Sequence, residues 1–195
     1  MPVQRVPRSP GARRRRLCTE IARLCARAPL AEAVRQRLGR TRAAAYLPVY
    51  LSRTAMPAAL EHAPPRVEEM TSYAASFDEF MALPEGTLAQ FIDGTVYMSP
   101  APRPRHQDVV LHLAVALRAY ATEHGGYVGF APFDVFLGPE RAVQPDAFYL
   151  SAERREQISE RGVEGAPTLV VEVLSPSTAY LDVSVKRRAY EEADV

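Results

Sequence analysis

Thr168-Leu169-Val170-Val171-Glu172-Val173-Leu174 is the stretch on which the reading of this chain turns. Apart from its first residue and Glu172 it is leucine and valine, the composition of a strand covered on both faces of a sheet. Glu172 interrupts it. Burying an unpaired carboxylate is costly, so this group should meet a cation, a hydrogen-bond donor or a solvent-filled cleft. The preceding extended run, Val143–Leu150, contains Pro145-Asp146. Proline cannot donate to a sheet ladder, so that strand lies at an edge or is distorted there, which leaves Asp146 at a break in pairing. Neighbouring strands would bring Asp146 and Glu172 side by side.

Outward from Glu172, Ser175-Pro176-Ser177 ends the strand, and a final helix is expected over about Asp182–Ala193. It carries Lys186, the only lysine among 24 basic residues; the others are arginine. A guanidinium is planar and always protonated, whereas a lysine ammonium is compact and rotatable, so the retained lysine suggests chemistry that arginine serves poorly. On a helix Lys186 lies near the face of Val183 and Tyr190, with its stem towards the sheet. Two adjacent carboxylates repel unless one is protonated or a cation lies between them. Oxygen ligands of this kind suit Mg²⁺ or Mn²⁺. An ammonium beside them could orient or help deprotonate an attacking water, and could stabilise charge developing on phosphorus. Plainer readings stand beside each residue. Asp146 could cap a turn, Glu172 could pair with an arginine, and Lys186 could simply pair with Asp182 one helical turn away.

Upstream, a long helix over roughly Arg105–His124 ends at Gly125-Gly126 and gathers His106, Val109, Val110, Leu113, Leu117 and Tyr120 on one face. His106 there is either a hydrogen-bonded core histidine or a ligand. Asp93-Gly94 between Leu88–Ile92 and Thr95–Met98 is a hairpin signal. Ser76-Phe-Asp-Glu79 is a capping box that opens a short helix. Extended runs are expected over Tyr127–Leu137, Val143–Leu150 and 168–174, with a polar helix, about Ala152–Glu160, between the last two.

Residues 1–69 differ in character. They hold 14 arginines and five acids, a net of +9, whereas residues 70–195 hold ten basic residues and 18 acids, a net of −8. An acidic body is not the usual footprint of a nucleic-acid binder, so phosphate chemistry there needs bound cations or a partner to offset repulsion. The expectation is a basic, Arg/Pro-rich extension over 1–69, poorly packed apart from short helices near Leu17–Arg27 and Leu30–Ala45, followed by a domain over 70–195 that begins close to Met70. Cys18 and Cys25 fit neither a disulfide framework nor a zinc spacing, and a reducing cytoplasmic setting is the default. No stretch approaches the roughly 20 apolar residues of a membrane span.

Phe91-Ile-Asp-Gly94, Met98-Ser-Pro-Ala-Pro102, Arg105-His-Gln107, Ala131-Pro-Phe-Asp-Val135, Val143-Gln-Pro-Asp146, Val163-Glu-Gly-Ala-Pro167 and Val170-Val-Glu-Val-Leu-Ser-Pro-Ser-Thr178 follow one another in order, and Asp182, Lys186 and Tyr190 continue the series. This chain of motifs resembles the Uma-type putative restriction endonucleases, formerly a domain of unknown function, within the PD-(D/E)XK nuclease superfamily. The resemblance covers residues 71–195 and none of 1–69. It implies an α/β (α+β), restriction-endonuclease-like fold, a mixed central sheet flanked by helices. Asp146 matches the first metal carboxylate and Glu172 the second. Leu174 stands where the superfamily has a strand lysine, and Lys186 matches the position to which that lysine has moved in the Uma-type group.

Two departures are visible. Gln90 stands where the family usually has a glutamate. The chain also stops at Ala193-Asp-Val195, where family members continue into a further strand, so the fold is expected to lack its C-terminal strand and expose an edge. The resemblance implies a Mg²⁺- (or Mn²⁺-) dependent endonuclease hydrolysing nucleic-acid phosphodiester bonds, DNA foremost. Asp146, Glu172 and Lys186 would be its catalytic groups, the two carboxylates its metal ligands, and His106 and Gln90 supporting contacts. The partner is nucleic acid rather than a membrane, and a homodimer is compatible. The alternative is a degenerate, inactive member acting as a nucleic-acid or protein interaction module; a plain α/β protein with structural ion pairs is the third reading.

Overall fold

The computed structural model describes residues 46–50 (as backbone), 71–175 and 178–195. Two sheets form the frame. The first is four-stranded and mixed, in the order β1 (Tyr46–Tyr50), β11 (Leu169–Leu174), β8 (Ala147–Leu150) and β5 (Tyr127–Phe130). The second is seven-stranded: β2 (Ser72–Ala74), β4 (Thr95–Met98), β3 (Ala89–Ile92), β7 (Arg141–Val143), β6 (Val135–Gly138), β10 (Gly162–Glu164) and β9 (Ile158–Ser159). The helices are α1 (Phe77–Met81), α2 (Pro104–His124) and α3 (Arg187–Glu192), with a 3₁₀ turn over Ala152–Gln157. The segment Leu181–Lys186, wound as a π-helix, leads directly into α3.

Where sequence suggested single extended runs over 127–137 and 143–150, the chain changes sheet in the middle of each. The run from Tyr127 is cut between β5 and β6 around the cis Ala131–Pro132 bond, and the second is cut between β7 and β8 at Gln144–Asp146. Both cuts coincide with a proline, which supplies no N–H to continue a ladder. The Ala131 N–H donates to the Asp146 carbonyl at 3.1 Å, which ties the two crossings together. The seam between the sheets is therefore built around Asp146. The polar segment expected as a helix over 152–160 is instead the short 3₁₀ turn followed by β9.

β11 is buried along its whole length. Its residues alternate between two environments. Leu169, Val171 and Val173 pack with Val109, Val110, Leu113 and Leu117 of α2, while Val170 lies on the other face with Phe148, Ala189 and Tyr190. Period-two alternation puts Glu172 on the second face, under α3. The apolar stripe expected on the long helix is the one that is buried. The capping box is present, with Ser76 Oγ accepting from the Glu79 N–H and Glu79 Oε2 accepting from the Ser76 N–H at 2.7 Å.

A strand was not expected within residues 1–69. β1 nevertheless runs parallel to β11, with Tyr46 opposite Val170 through to Tyr50 opposite Leu174. Pro48 lies within β1, and proline is tolerated there because β1 is an edge strand. The flank of β11 opposite β8 is thus paired by β1. The helices expected near 17–27 and 30–45 lie outside the described residues.

Candidate active site

β8 and β11 are antiparallel, with Ala147 opposite Val171 and Phe148 opposite Val170. Extending that register by one residue sets Asp146 across from Glu172. Pro145 ends the ladder there, and the Asp146 side chain takes over: its Oδ2 accepts the Val173 N–H at 2.6 Å. The carboxylate thereby replaces a missing strand partner and stays at the rim, where its side chain keeps 17% exposure. From α2, His106 Nε2 approaches the same Oδ2 at 3.3 Å, while His106 Nδ1 is buried with no hydrogen-bond partner. The hydrogen bond to Asp146 raises the His106 pKa above its ordinary value against the opposing effect of burial.

Glu172 is 1% exposed and meets two donors on one oxygen. Tyr190 Oη donates to Oε1 at 2.6 Å, and Lys186 Nζ lies 2.6 Å from the same atom. Lys186 is 2% exposed, and its Nζ also faces the Gln144 carbonyl at 3.3 Å and Asp182 Oδ1 at 3.5 Å. All three ammonium protons therefore have acceptors. Burial pushes Glu172 up to about 8; Asp182 and Asp146 add to the rise and the Lys186 ammonium opposes it. Burial works against the charge on Lys186, but Glu172, Asp182 and Asp146 outweigh it and hold the amine above its usual value. Asp182, 4% exposed, is raised by burial, while Lys186 draws it back down.

The residues singled out from sequence thus gather at one place. Glu172 and Lys186 touch, Asp146 acts electrostatically on both, and His106 sits on Asp146. Gln90 stands one step back: its Oε1 accepts the Gln144 N–H at 2.9 Å and its Nε2 donates to Ser99 Oγ at 3.3 Å. It holds the backbone whose carbonyl receives Lys186. Gln144 in turn donates from Nε2 to Asp134 Oδ1 at 2.8 Å. Asp93, read from sequence as a turn residue, has φ 49° and binds Arg141, which also holds Glu192 of α3. Tyr190 is the member that sequence reasoning left without a role, and Asp182 entered it only as a structural pairing partner of Lys186. Their signal was the spacing Asp182–Lys186–Tyr190, one residue per turn on a single helix face.

The donor set suits a hard divalent cation in part. Asp146 and Glu172 offer carboxylate oxygens, and the cluster holds more buried carboxylate than buried cation. Among the described residues no group of three or more His, Cys, Asp or Glu is spaced as a ready-made metal site. A cation here would rest on two carboxylates and keep water in its remaining positions, which is how Mg²⁺ is commonly bound.

A mixed sheet carrying paired carboxylates at a break in its strands, with helices on its faces, is a restriction-endonuclease-like nuclease fold. The chain is similar in structure to a crystal structure described as a putative nuclease belonging to DUF820 from Anabaena variabilis ATCC 29413. The TM-score is 0.53 and the identity 17%, with 62% of this chain and 70% of that one covered. The family model Uma2, described as putative restriction endonuclease, matches residues 77–195, and the chain belongs to that family. No curated protein matches it. Among the described residues, no helix is long and apolar enough to cross a membrane.

Proposed function

We propose that this chain is a Mg²⁺- or Mn²⁺-dependent endonuclease that hydrolyses phosphodiester bonds of nucleic acid, with DNA as substrate, in the cytoplasm. The observation that carries the reading is the contact of the one lysine with Glu172 beside Asp146, at the seam where two strands change sheet. Residues 70–195 form the nuclease unit of this reading, and residues 1–69 are the basic extension that lends it β1.

Asp146 and Glu172 would hold the cation, which when bound supplies Lewis acidity and a lowered water pKa. Lys186, kept protonated by the carboxylates around it, serves as a fixed positive charge against negative charge developing on phosphorus. That narrows the sequence-based idea of an amine helping to deprotonate water, because an amine held above its usual pKa is a poor base. His106 orients Asp146, and Gln90 fixes the Gln144 carbonyl on which Lys186 rests.

Supercoiled plasmid incubated with the protein and Mg²⁺ tests the proposal. We expect nicking that EDTA abolishes and that falls by about 10²-fold or more in Lys186→Ala and Asp146→Ala proteins, the size of effect seen when one electrostatic stabiliser is removed. Equal nicking by wild type and both variants would refute it. Gln90, an amide where the family usually carries a glutamate, favours the second reading, a non-catalytic binding module. Retention of plasmid without cleavage, at any divalent cation, would select that reading.

A further inference from the structure

Lys186 is surrounded by more carboxylate than one ammonium can neutralise. Glu172 Oε1 lies 2.6 Å from Nζ and Asp182 Oδ1 3.5 Å from it, and both carboxylates are almost wholly buried. A structural ion pair needs one of them. Burying a second charged group adds a desolvation cost that the existing contact with Glu172 does not require.

We infer that Asp182 is a positioning residue that keeps the Lys186 ammonium in place when Glu172 turns to a divalent cation. The inference rests on the cation-dependent reading above. Formal charge supports it. A dication on Asp146 and Glu172 would be matched by two negative charges, and Lys186 with Asp182 would form a second neutral pair. Without Asp182, an ammonium released by Glu172 would keep only the neutral Gln144 carbonyl among the three acceptors it has now, a costly arrangement for a buried charge.

The local backbone is suited to this exchange. Residues Leu181–Lys186 are wound as a π-helix, a wider turn frequent at functional sites, and Asp182 and Lys186 sit about one turn apart on the same strip. Asp182 is itself steadied at its own end: its N–H donates to the Thr178 carbonyl at 3.1 Å, and the Thr178 side chain bonds its carboxylate. Tyr190 Oη belongs to Glu172 rather than to the ammonium, so it would stay with Glu172 through the exchange.

The single lysine makes the test specific, since lysine labelled with ¹⁵N and ¹³C gives one side-chain ammonium signal in the full chain. That signal is followed during a Mg²⁺ titration in wild type and in Asp182→Asn. In wild type it should shift and remain sharp at saturating Mg²⁺. In Asp182→Asn it should broaden by proton exchange once Mg²⁺ binds, with Mg²⁺ affinity weaker by about tenfold or more. Loss of the wild-type signal at saturating Mg²⁺ would overturn the inference. So would a sharp signal and unchanged affinity in Asp182→Asn.

If Asp182→Asn does not fold, the wild type still decides. A scalar coupling across the hydrogen bond, from Nζ to the Asp182 carboxyl carbon at saturating Mg²⁺, supports the inference; its absence overturns it. Should Mg²⁺ change neither the lysine signal nor the thermal midpoint of wild type, the cation-dependent reading itself fails and this inference fails with it. The two failures are therefore distinguishable.

Discussion

Lys186→Met keeps the stem of the side chain and deletes its charge, so it probes the centre of the cluster without opening a large cavity. Removing one partner of a buried ion pair costs about 3–5 kcal/mol, because the other charge is left buried and alone. Here two buried carboxylates, Glu172 and Asp182, lose the same cation, which points to the upper end of that range. The loss should depend on pH in a defined direction. Burial holds Glu172 at about 8 in the folded protein, against an ordinary value of 4.5. A carboxyl raised on folding gives its stability in full below the unfolded value and loses it as pH climbs through the folded one. Asp182 is raised by burial too, so it acts in the same sense. A rise from 4.5 to about 8 corresponds to roughly 5 kcal/mol as a ceiling, at 1.36 kcal/mol per unit. Wild type in EDTA should thus be more stable at pH 5 than at pH 8. Lys186→Met should steepen that difference, since the ammonium that opposed the rise is gone. Urea denaturation at the two pH values, in EDTA and then in excess Mg²⁺, measures both effects. A hundredfold excess of Mg²⁺ over its dissociation constant should restore about 2.7 kcal/mol at pH 8. A loss under about 1 kcal/mol at pH 8, or an equal loss at both pH values, would refute the reasoning.

Tyr190→Phe removes one donor from Glu172 Oε1; it should lower stability by about 1–3 kcal/mol in urea denaturation, with the larger effect at pH 8. Gln90→Glu keeps the acceptor for the Gln144 N–H but adds a buried negative charge near the cluster. In EDTA it should cost about 1–3 kcal/mol at pH 8 and less at pH 5, read from the same curves. Gly129→Ala drives a methyl group into the ring of Phe148 on the paired strand, which has no free side to move to. A loss of about 1–3 kcal/mol is expected, and a thermal midpoint unchanged from wild type would contradict it.

How much of this was legible beforehand follows from how local each cause is. Glu172 was readable because a carboxylate in an apolar strand carries its own burial problem. Asp146 was readable because Pro145 interrupts a ladder wherever that ladder lies. Lys186 stood out only through its singularity among arginines. The reading of each extended run as one strand failed for the opposite reason: Pro132 and Pro145 announce a break, but which sheet takes up each half is settled by partners far along the chain. β1 escaped for the same reason, since the open flank of β11 that it pairs belongs to the other end of the sequence. The last helix shows a subtler limit. An α-helical wheel already places Asp182 one turn from Lys186, and the two meet at 3.5 Å, but no residue in Leu181–Lys186 announces the π winding of that turn. That contact changes the chemistry assigned to the lysine. Beside a bound dication and away from carboxylates, an amine could lose its proton and act as a base. With Asp182 as a further carboxylate, it is fixed as a cation, and the cluster can only use its charge.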